Sequence, residues 1–300
     1  MQKEYNGKKI SFPVSEKERD LITQNLALCA HSEISSLTAA VNFKHHHQTS
    51  VELDKAKVLY ESVDVVRYMM AIMNLWDISA EDFTHAFKQK DNYLNITHDL
   101  EAKKWKGEKV IIVDIDDVLG EFRKCFASWL EQNYNIAVDV ESTEYYFITA
   151  LSKIDVNPEK VFENFIADRG FMMLPTVLDA IKFTHTLKSM GYWLHLLTAR
   201  PAENYCIFYD TYSWLTTAGF AFDRLDFSSE KFRWCAQSEY YDSGAIEFAI
   251  DDSPKHALEY AKHGIRVKVP LKSYNKHIEG ENIQFYNDFD DLLTKIRRNN

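Results

Sequence analysis

Glycine is scarce in this chain, nine among 300 residues, whereas 46% of the residues are hydrophobic and 14% aromatic. That balance suits a helix-rich protein able to bury sizeable cores, and the length suits two domains. Cysteine is scarce as well. Cys29, Cys125, Cys206 and Cys235 are too scattered for metal-type spacing, so free thiols in a reducing compartment are expected. No apolar run approaches the ~20 residues of a membrane span and no leader-like segment opens the chain, from which a soluble, cytoplasmic protein without membrane contact is expected. Basic charge is in deficit. Thirty-five Lys and Arg against 45 Asp and Glu leave a net charge of −10, which argues against a general nucleic-acid surface while leaving room for a local basic groove. Repeats and low-complexity segments are absent. So is a Gly-rich loop ending in Lys-Ser or Lys-Thr, which excludes a P-loop kinase.

What is present gathers at the ends of apolar runs. Val110-Ile111-Ile112-Val113 reads as a buried parallel strand and runs straight into Asp114-Ile115-Asp116-Asp117. Two acids then stand at the carboxyl edge of a sheet, where open α/β folds bind ligands. Tyr192-Trp193-Leu194-His195-Leu196-Leu197 ends in Thr198, and Ile246-Glu247-Phe248-Ala249-Ile250 ends in Asp251-Asp252, with Lys231 between. Acid pair, hydroxyl, lysine and acid pair, in that order, point to phosphoryl transfer. Asp114 can attack phosphorus and carry it as an aspartyl-phosphate. Asp116, two residues on, faces the same side of an extended chain and can move a proton to and from the departing oxygen. Thr198 can hydrogen-bond a phosphoryl oxygen, and Lys231 can neutralise charge on phosphate and on Asp114. Mg²⁺ would supply the remaining positive charge, held by Asp114, the backbone carbonyl of Asp116, Asp251 and Asp252.

These four elements resemble the motifs of the haloacid-dehalogenase (HAD) superfamily of phosphatases over roughly residues 108–297. The resemblance implies an α/β Rossmannoid parallel sheet with a helical cap insertion. It also implies Asp114 as nucleophile, Asp116 as acid/base, Thr198 on phosphate, Lys231 on the intermediate, and Mg²⁺ on Asp251 and Asp252. In that superfamily phosphatases carry an Asp at the position of Asp116, and dehalogenases do not.

The N-terminal part reads as a small all-α domain over 1–100. Helices are expected from Ser15 into Leu26-Ala27-Leu28, from Ser32 to Lys44, from Val51 to Trp76, and from an Asp77-Ile78-Ser79 cap through Lys88. The charged stretch 99–108 is the expected linker to a domain over 108–300. Glu61 and Asp64 lie one turn apart on one helix face, and Glu33 lies upstream. This arrangement resembles the all-α nucleotide pyrophosphohydrolases of the MazG and dimeric dUTPase type. The resemblance implies Mg²⁺ on Glu33, Glu61 and Asp64, phosphate contacts from Lys90 and Asn95, and homo-oligomers formed through the helical domain. Ser36 stands where that family places a second Glu, so the alternative is a non-catalytic nucleotide-binding or dimerisation module. The run His45-His46-His47 reads as a solvated helix end.

Roughly eighty residues separate Asp116 from Thr198, far more than one crossover helix needs. Residues 175–190 supply that helix, and the surplus, about 121–174, reads as an aromatic helical lid. The stretches Asp114-Ile115-Asp116-Asp117-Val118-Leu119 and Arg169-Gly170-Phe171-Met172-Met173-Leu174-Pro175 resemble the 5'(3')-deoxyribonucleotidases. That family implies base stacking on Phe171. Arg200, after Thr198-Ala199, departs from the family's pattern and is expected to add a contact to phosphate or sugar, with Ala199 beside it at the substrate. Segments around Tyr209, Lys231 and Asp251 also resemble the 3'-phosphatase domain of phage polynucleotide kinases, which act on nucleic-acid ends. The long insertion and the acidic charge favour the first reading, a Mg²⁺-dependent phosphatase of (deoxy)nucleoside 5'-monophosphates. Its pairing with a pyrophosphohydrolase-like domain suits nucleotide-pool remodelling, as in the host cytoplasm during phage infection.

Overall fold

Val110–Val113, four aliphatic residues buried on both faces, form the central strand β1 of the computed structural model, which describes residues 4–5, 8–9, 15–41, 54–142, 147, 151–152, 157–201 and 204–298. Five strands join it in parallel: β2 (Trp193–Thr198), β3 (Arg224–Phe227), β4 (Ile246–Ile250), β5 (Val267–Pro270) and β6 (Ile283–Tyr286), in the order β3-β2-β1-β4-β5-β6. The chain therefore winds outward from β1 to β3 on one side and returns to β4 on the other. The crevice between the two halves opens beside β1, the place where doubly wound sheets bind ligands. Register fixes what emerges there. Val113 lies opposite Leu196 on one neighbour and Ile250 on the other, so Asp114, Thr198 and Asp251 reach the same edge.

Alternation along β1 divides the core into two layers. Ile111 and Val113 pack with α6 (Ala180–Ser189), α7 (Tyr205–Ala218) and α10 (Phe289–Arg298), whereas Val110 and Ile112 pack with α8 (Lys231–Ala236) and α9 (Pro254–Lys262). The architecture is the expected α/β parallel sheet with helices on both faces.

The segment between β1 and α6 forms a cap of α4 (Phe122–Tyr134), α5 (Pro158–Ala167) and a 3-10 turn at Gly170–Met172. Asn157 starts α5 by accepting the Glu159 N–H at 2.9 Å, with Pro158 in the first helical position. Phenylalanines knit these pieces together. Phe165 meets Phe126 at 5.1 Å and Phe171 at 5.5 Å between ring centroids, and Phe122 stacks on Phe171 at 6.0 Å. Gly170 makes this packing possible, since a Cβ there would lie 2.2 Å from the Phe165 ring.

The structure departs from the sequence expectations at several helix ends. The crossover helix begins at Ala180 rather than 175, because the backbone around it is used elsewhere: Glu121 N–H donates to the Pro175 carbonyl at 2.8 Å, and Val177 N–H to that of Leu119 at 2.9 Å. Toward the N-terminus, one helix, α1 (Glu16–Ala39), replaces the two expected. Its serines do not cap a second helix. Ser35 Oγ donates to the His31 carbonyl at 3.1 Å and Ser36 Oγ to that of Ser32 at 3.4 Å, which lets both sit mid-helix. Helix α2 (Lys55–Leu75) starts from Asp54, which accepts the Ala56 N–H at 2.8 Å. Helix α3 (Ala80–Ala102) runs well past Lys88, because neither Gly nor Pro interrupts it, and residues 99–102 of the expected linker close it. Ser79 and Asp82 form its capping box, with Ser79 N–H donating to Asp82 at 2.9 Å and Asp82 N–H to Ser79 Oγ at 3.0 Å. The chain separates into two compact units, Met1–Lys88 and Gln89–Asn300. The expected helix start at Val51 and the His45-His46-His47 run lie outside the described residues, as do Tyr145 and Tyr146 of the aromatic lid. Among the described residues no helix is long and apolar enough to cross a membrane.

Gly170→Ala is expected to destabilise the cap by about 1–3 kcal/mol through overpacking against Phe165, read from urea unfolding. An unchanged midpoint would mean that the Phe165 ring yields freely.

Candidate active site

Asp114 follows β1 directly and is tied to the neighbouring strand, its N–H donating to the Ile250 carbonyl at 2.9 Å. Its carboxylate is buried and accepts the Ile115 N–H at 2.7 Å. Lys231, at the first position of α8, is also buried, and its Nζ lies 2.7 Å from Asp114 Oδ1 and 2.7 Å from Asp251 Oδ2. Burial by itself disfavours the ammonium, but the two carboxylates outweigh it and hold Lys231 above its ordinary pKa. Burial, with repulsion from Asp251 and Asp116, pushes Asp114 up to about 6 against the pull of Lys231.

Asp252 completes the group. Its Oδ2 accepts the Tyr274 hydroxyl at 2.6 Å, whereas its buried Oδ1 has no hydrogen-bond partner among the described residues. Burial and the carboxylates of Asp114, Asp117 and Asp251 push its pKa well above the ordinary range. One oxygen from each of Asp114, Asp251 and Asp252 lies within 4.8 Å of the others. Three buried carboxylates gather where one lysine pairs with two of them, and Asp252 Oδ1 has no hydrogen-bond partner among the described residues. Such an all-oxygen donor set fits a hard divalent cation, Mg²⁺ by chemistry.

Asp116 is engaged differently. Its two oxygens accept Arg200 Nη2 at 2.6 Å and Nε at 2.9 Å, a bidentate pair, and Arg200 Nη1 donates to Thr211 Oγ1 at 2.7 Å. The Arg200 guanidinium also lies 4.2 Å from the centre of the Phe171 ring. Arg200 is therefore buried and doubly anchored rather than a surface residue. Thr198 is fully buried at the end of β2, its Oγ1 accepting the Arg200 N–H at 3.4 Å.

A cavity of about 380 Å³ opens above these groups. Asp114, Asp116, Ala199, Arg200 and Lys231 line its polar end, and Phe122, Phe126, Phe162 and Phe171 of the cap line the other. Phe171 thus belongs both to the cap core and to the cavity wall.

Three further ionisable residues line this cavity, none of them given a role from the sequence. Asp117, at φ 53° in the left-handed region, accepts the Arg123 N–H at 3.1 Å, and burial pushes its pKa up to about 7. Arg123 carries the cap's own buried charge. His256, on the first turn of α9, is buried, and burial together with Lys231 pushes it down to about 4, so its ring is neutral near pH 7. The unbroken Asp116-Asp117 pair was a visible signal for the first. Nothing in the local sequence marked the other two.

The N-terminal candidates are not gathered in this way. Among the described residues the Asp114, Asp251 and Asp252 group is the cluster able to hold a metal ion, and Glu33, Glu61 and Asp64 form no such trio. Asp64 instead pairs with Arg67 at 3.3 Å on the exposed face of α2. Lys90 hydrogen-bonds the Tyr205 hydroxyl, and Asn95 donates to Asp91 at 3.4 Å, so both are engaged away from any phosphate site.

No family model matches the sequence, and no curated protein matches it. Solved structures similar to the chain include a predicted phosphatase from Clostridium acetobutylicum, 15% identical, covering 64% of this chain and 99% of its own with a TM-score of 0.47. A predicted phosphoglycolate phosphatase from Haemophilus somnus is 14% identical over 64% of this chain and 100% of its own, with a TM-score of 0.43. A dehalogenase with an intermediate complex is 10% identical over 64% and 98%, also with a TM-score of 0.43.

Asp117 gives the site a pH signature. Its folded-state pKa, raised to about 7, lies above the ordinary carboxylate value, so the folded state binds the proton more tightly and loses stability as pH rises between the two. In metal-free buffer, the stability of Asp117→Asn relative to the parent is expected to grow through that window and level off above it. A pH-independent difference in urea unfolding would contradict the assignment.

Proposed function

We propose that the protein is a Mg²⁺-dependent phosphatase acting on (deoxy)nucleoside 5'-monophosphates through an aspartyl-phosphate on Asp114. The observation that carries this reading is Lys231 Nζ, 2.7 Å from both Asp114 and Asp251, at the floor of an aromatic-walled cavity of about 380 Å³. A nucleophilic carboxylate needs its charge balanced without being blocked, and one lysine shared with a second acid does that. When bound, Mg²⁺ would be held by Asp114, Asp251, Asp252 and the Asp116 carbonyl, and would offset negative charge on the phosphoryl group.

In the first step an Asp114 oxygen bonds to phosphorus as the bond to the nucleoside oxygen breaks, and that oxygen takes a proton from Asp116. In the second, water attacks phosphorus, Asp116 takes the proton, and Asp114 is released with inorganic phosphate. The Arg200 fork holds both Asp116 oxygens in place at the polar end of the cavity. Arg200 lines the cavity beside Asp114 and is placed to meet an anionic oxygen of the substrate. Thr198 sits behind Arg200 and steadies its backbone through the N–H it accepts. Phe122, Phe162 and Phe171 offer ring faces of the kind on which a nucleobase stacks, and the cavity falls within the usual range for small-ligand sites, about 300–1,000 Å³.

Free thiols at all four cysteines accord with a cytoplasmic location. For the helical unit the reading is association with a second copy of the chain. Leu59, Tyr60, Val66, Met69 and Met70 of α2 all stay exposed, and light scattering on the full chain tests this by requiring a mass above 35.0 kDa.

The direct test is phosphate release with Mg²⁺ across ribo- and deoxynucleoside mono- and triphosphates and a 3'-phosphorylated oligonucleotide. Release from a subset of monophosphates, lost with a chelator and in Asp114→Asn, is the expected outcome. Release from the oligonucleotide alone would replace it with action on nucleic-acid ends. Phe171→Ala is expected to raise KM for nucleotides while sparing a small phosphate ester; equal losses on both would make Phe171 a packing residue only.

A further inference from the structure

The loop after β5 holds Asp252 from two directions. Tyr274 donates its hydroxyl to Oδ2 at 2.6 Å, and Asn275 Nδ2 donates to the Asp252 backbone carbonyl at 2.9 Å. With Oδ2 tied and the backbone pinned, Oδ1 is the oxygen left without a partner among the described residues, in a carboxylate that belongs to the three-acid cluster. The Tyr274 ring has a second contact. The Arg123 guanidinium lies 4.5 Å from its centre and 4.3 Å from the centre of the Phe147 ring, so the cation is stacked against two aromatics.

Arg123 belongs to α4, a cap helix, and its Nη2 donates to the Val140 and Ser142 carbonyls, both at 3.0 Å. Ser273, next to Tyr274, donates its hydroxyl to the same Ser142 carbonyl at 3.2 Å. The chain of contacts therefore runs from cap backbone to Arg123, to Tyr274, to a carboxylate of the acid cluster, mostly in buried surroundings. Partners that orient a ligand carboxylate set its affinity for an ion. Any contact that holds Tyr274 in place must in turn act on that affinity, and by linkage the ion acts back on the contact.

We propose that Tyr274 is a positioning residue for the divalent cation and that Arg123 couples its hold on Asp252 to the docking of the cap. Cation binding and cap docking then reinforce one another, and the site is best formed when the lid is seated. The inference rests on the metal-dependent reading of the Asp114, Asp251 and Asp252 cluster. It assigns no chemical step to either residue, since neither is placed against the reacting atoms.

The test is calorimetric titration of the full chain with MgCl₂ alone, without substrate. Tyr274→Phe, which keeps the ring and removes the hydroxyl, is expected to weaken Mg²⁺ binding about 10–100-fold. Arg123→Lys keeps the charge but loses the fork to the two cap carbonyls, and should weaken binding in the same direction by less. The double variant should be little weaker than Tyr274→Phe alone, because both act through one contact. Melting temperatures without Mg²⁺ show that each variant folds, and the rise on adding Mg²⁺ should shrink in the same order. Parental affinity in Tyr274→Phe would overturn the positioning role. A loss in Tyr274→Phe with none in Arg123→Lys, or additive losses in the double variant, would overturn the coupling. A parent chain with no saturable Mg²⁺ binding would instead remove the metal-centre reading, and this inference with it.

Discussion

Lys231 Nζ stands 2.7 Å from Asp114 and 2.7 Å from Asp251 in buried surroundings at the floor of the cavity, and this shared cation is what allows carboxylates to be gathered at the strand ends. Buried charges are costly unless paired and hydrogen-bonded. One lysine between two acids still leaves Asp252 without an ion-pair partner among the described residues, where its hydrogen bond from Tyr274 satisfies only one of its oxygens. The cluster is thus built short of positive charge. That shortage is what a bound divalent cation would make good.

A second cation organises the mouth of the site. Arg200 grips Asp116 with two nitrogens, Thr211 with a third, and lies across the Phe171 ring. It joins a sheet-edge acid to the aromatic cap, so Asp116 and the wall of the cavity share one support. Arg123 joins cap to core in the same manner on the other side, through Tyr274 and Asp252. The lid is therefore seated by guanidinium groups on rings as well as by apolar packing, a geometry that a rigid fork supports and a lysine would not.

Much of the sheet was legible in the chain. Val110–Val113 and the stretch Phe248-Ala249-Ile250 are apolar runs that meet acids abruptly, and burial on both faces leaves such runs little freedom to be anything but inner strands. The helical unit was less legible. Serines at 32, 35 and 36 look like a helix start, yet Ser35 and Ser36 bond to carbonyls one turn back and α1 runs unbroken. Local propensity weighs both outcomes nearly equally there, and packing against α2 decides. The carboxylates of Glu33, Glu61 and Asp64 show the same limit, since spacing on a helix sets a common face but not convergence with another helix.

The sequence by itself determined which residues stand at the carboxyl edge of the sheet. A strand boundary is a local event, and the side chain that follows it is set by chain order. Which of those residues touch was decided only by the tertiary structure. Arg200 could have met solvent, phosphate or an acid, and it is the register of β1 against β2 that lays it on Asp116. Tyr274 lies 22 residues from Asp252 and Arg123 lies far from both in the chain, so no periodicity could have brought the three into one stack. Long-range contacts of this kind depend on how the layers close, and that information is spread over the whole core.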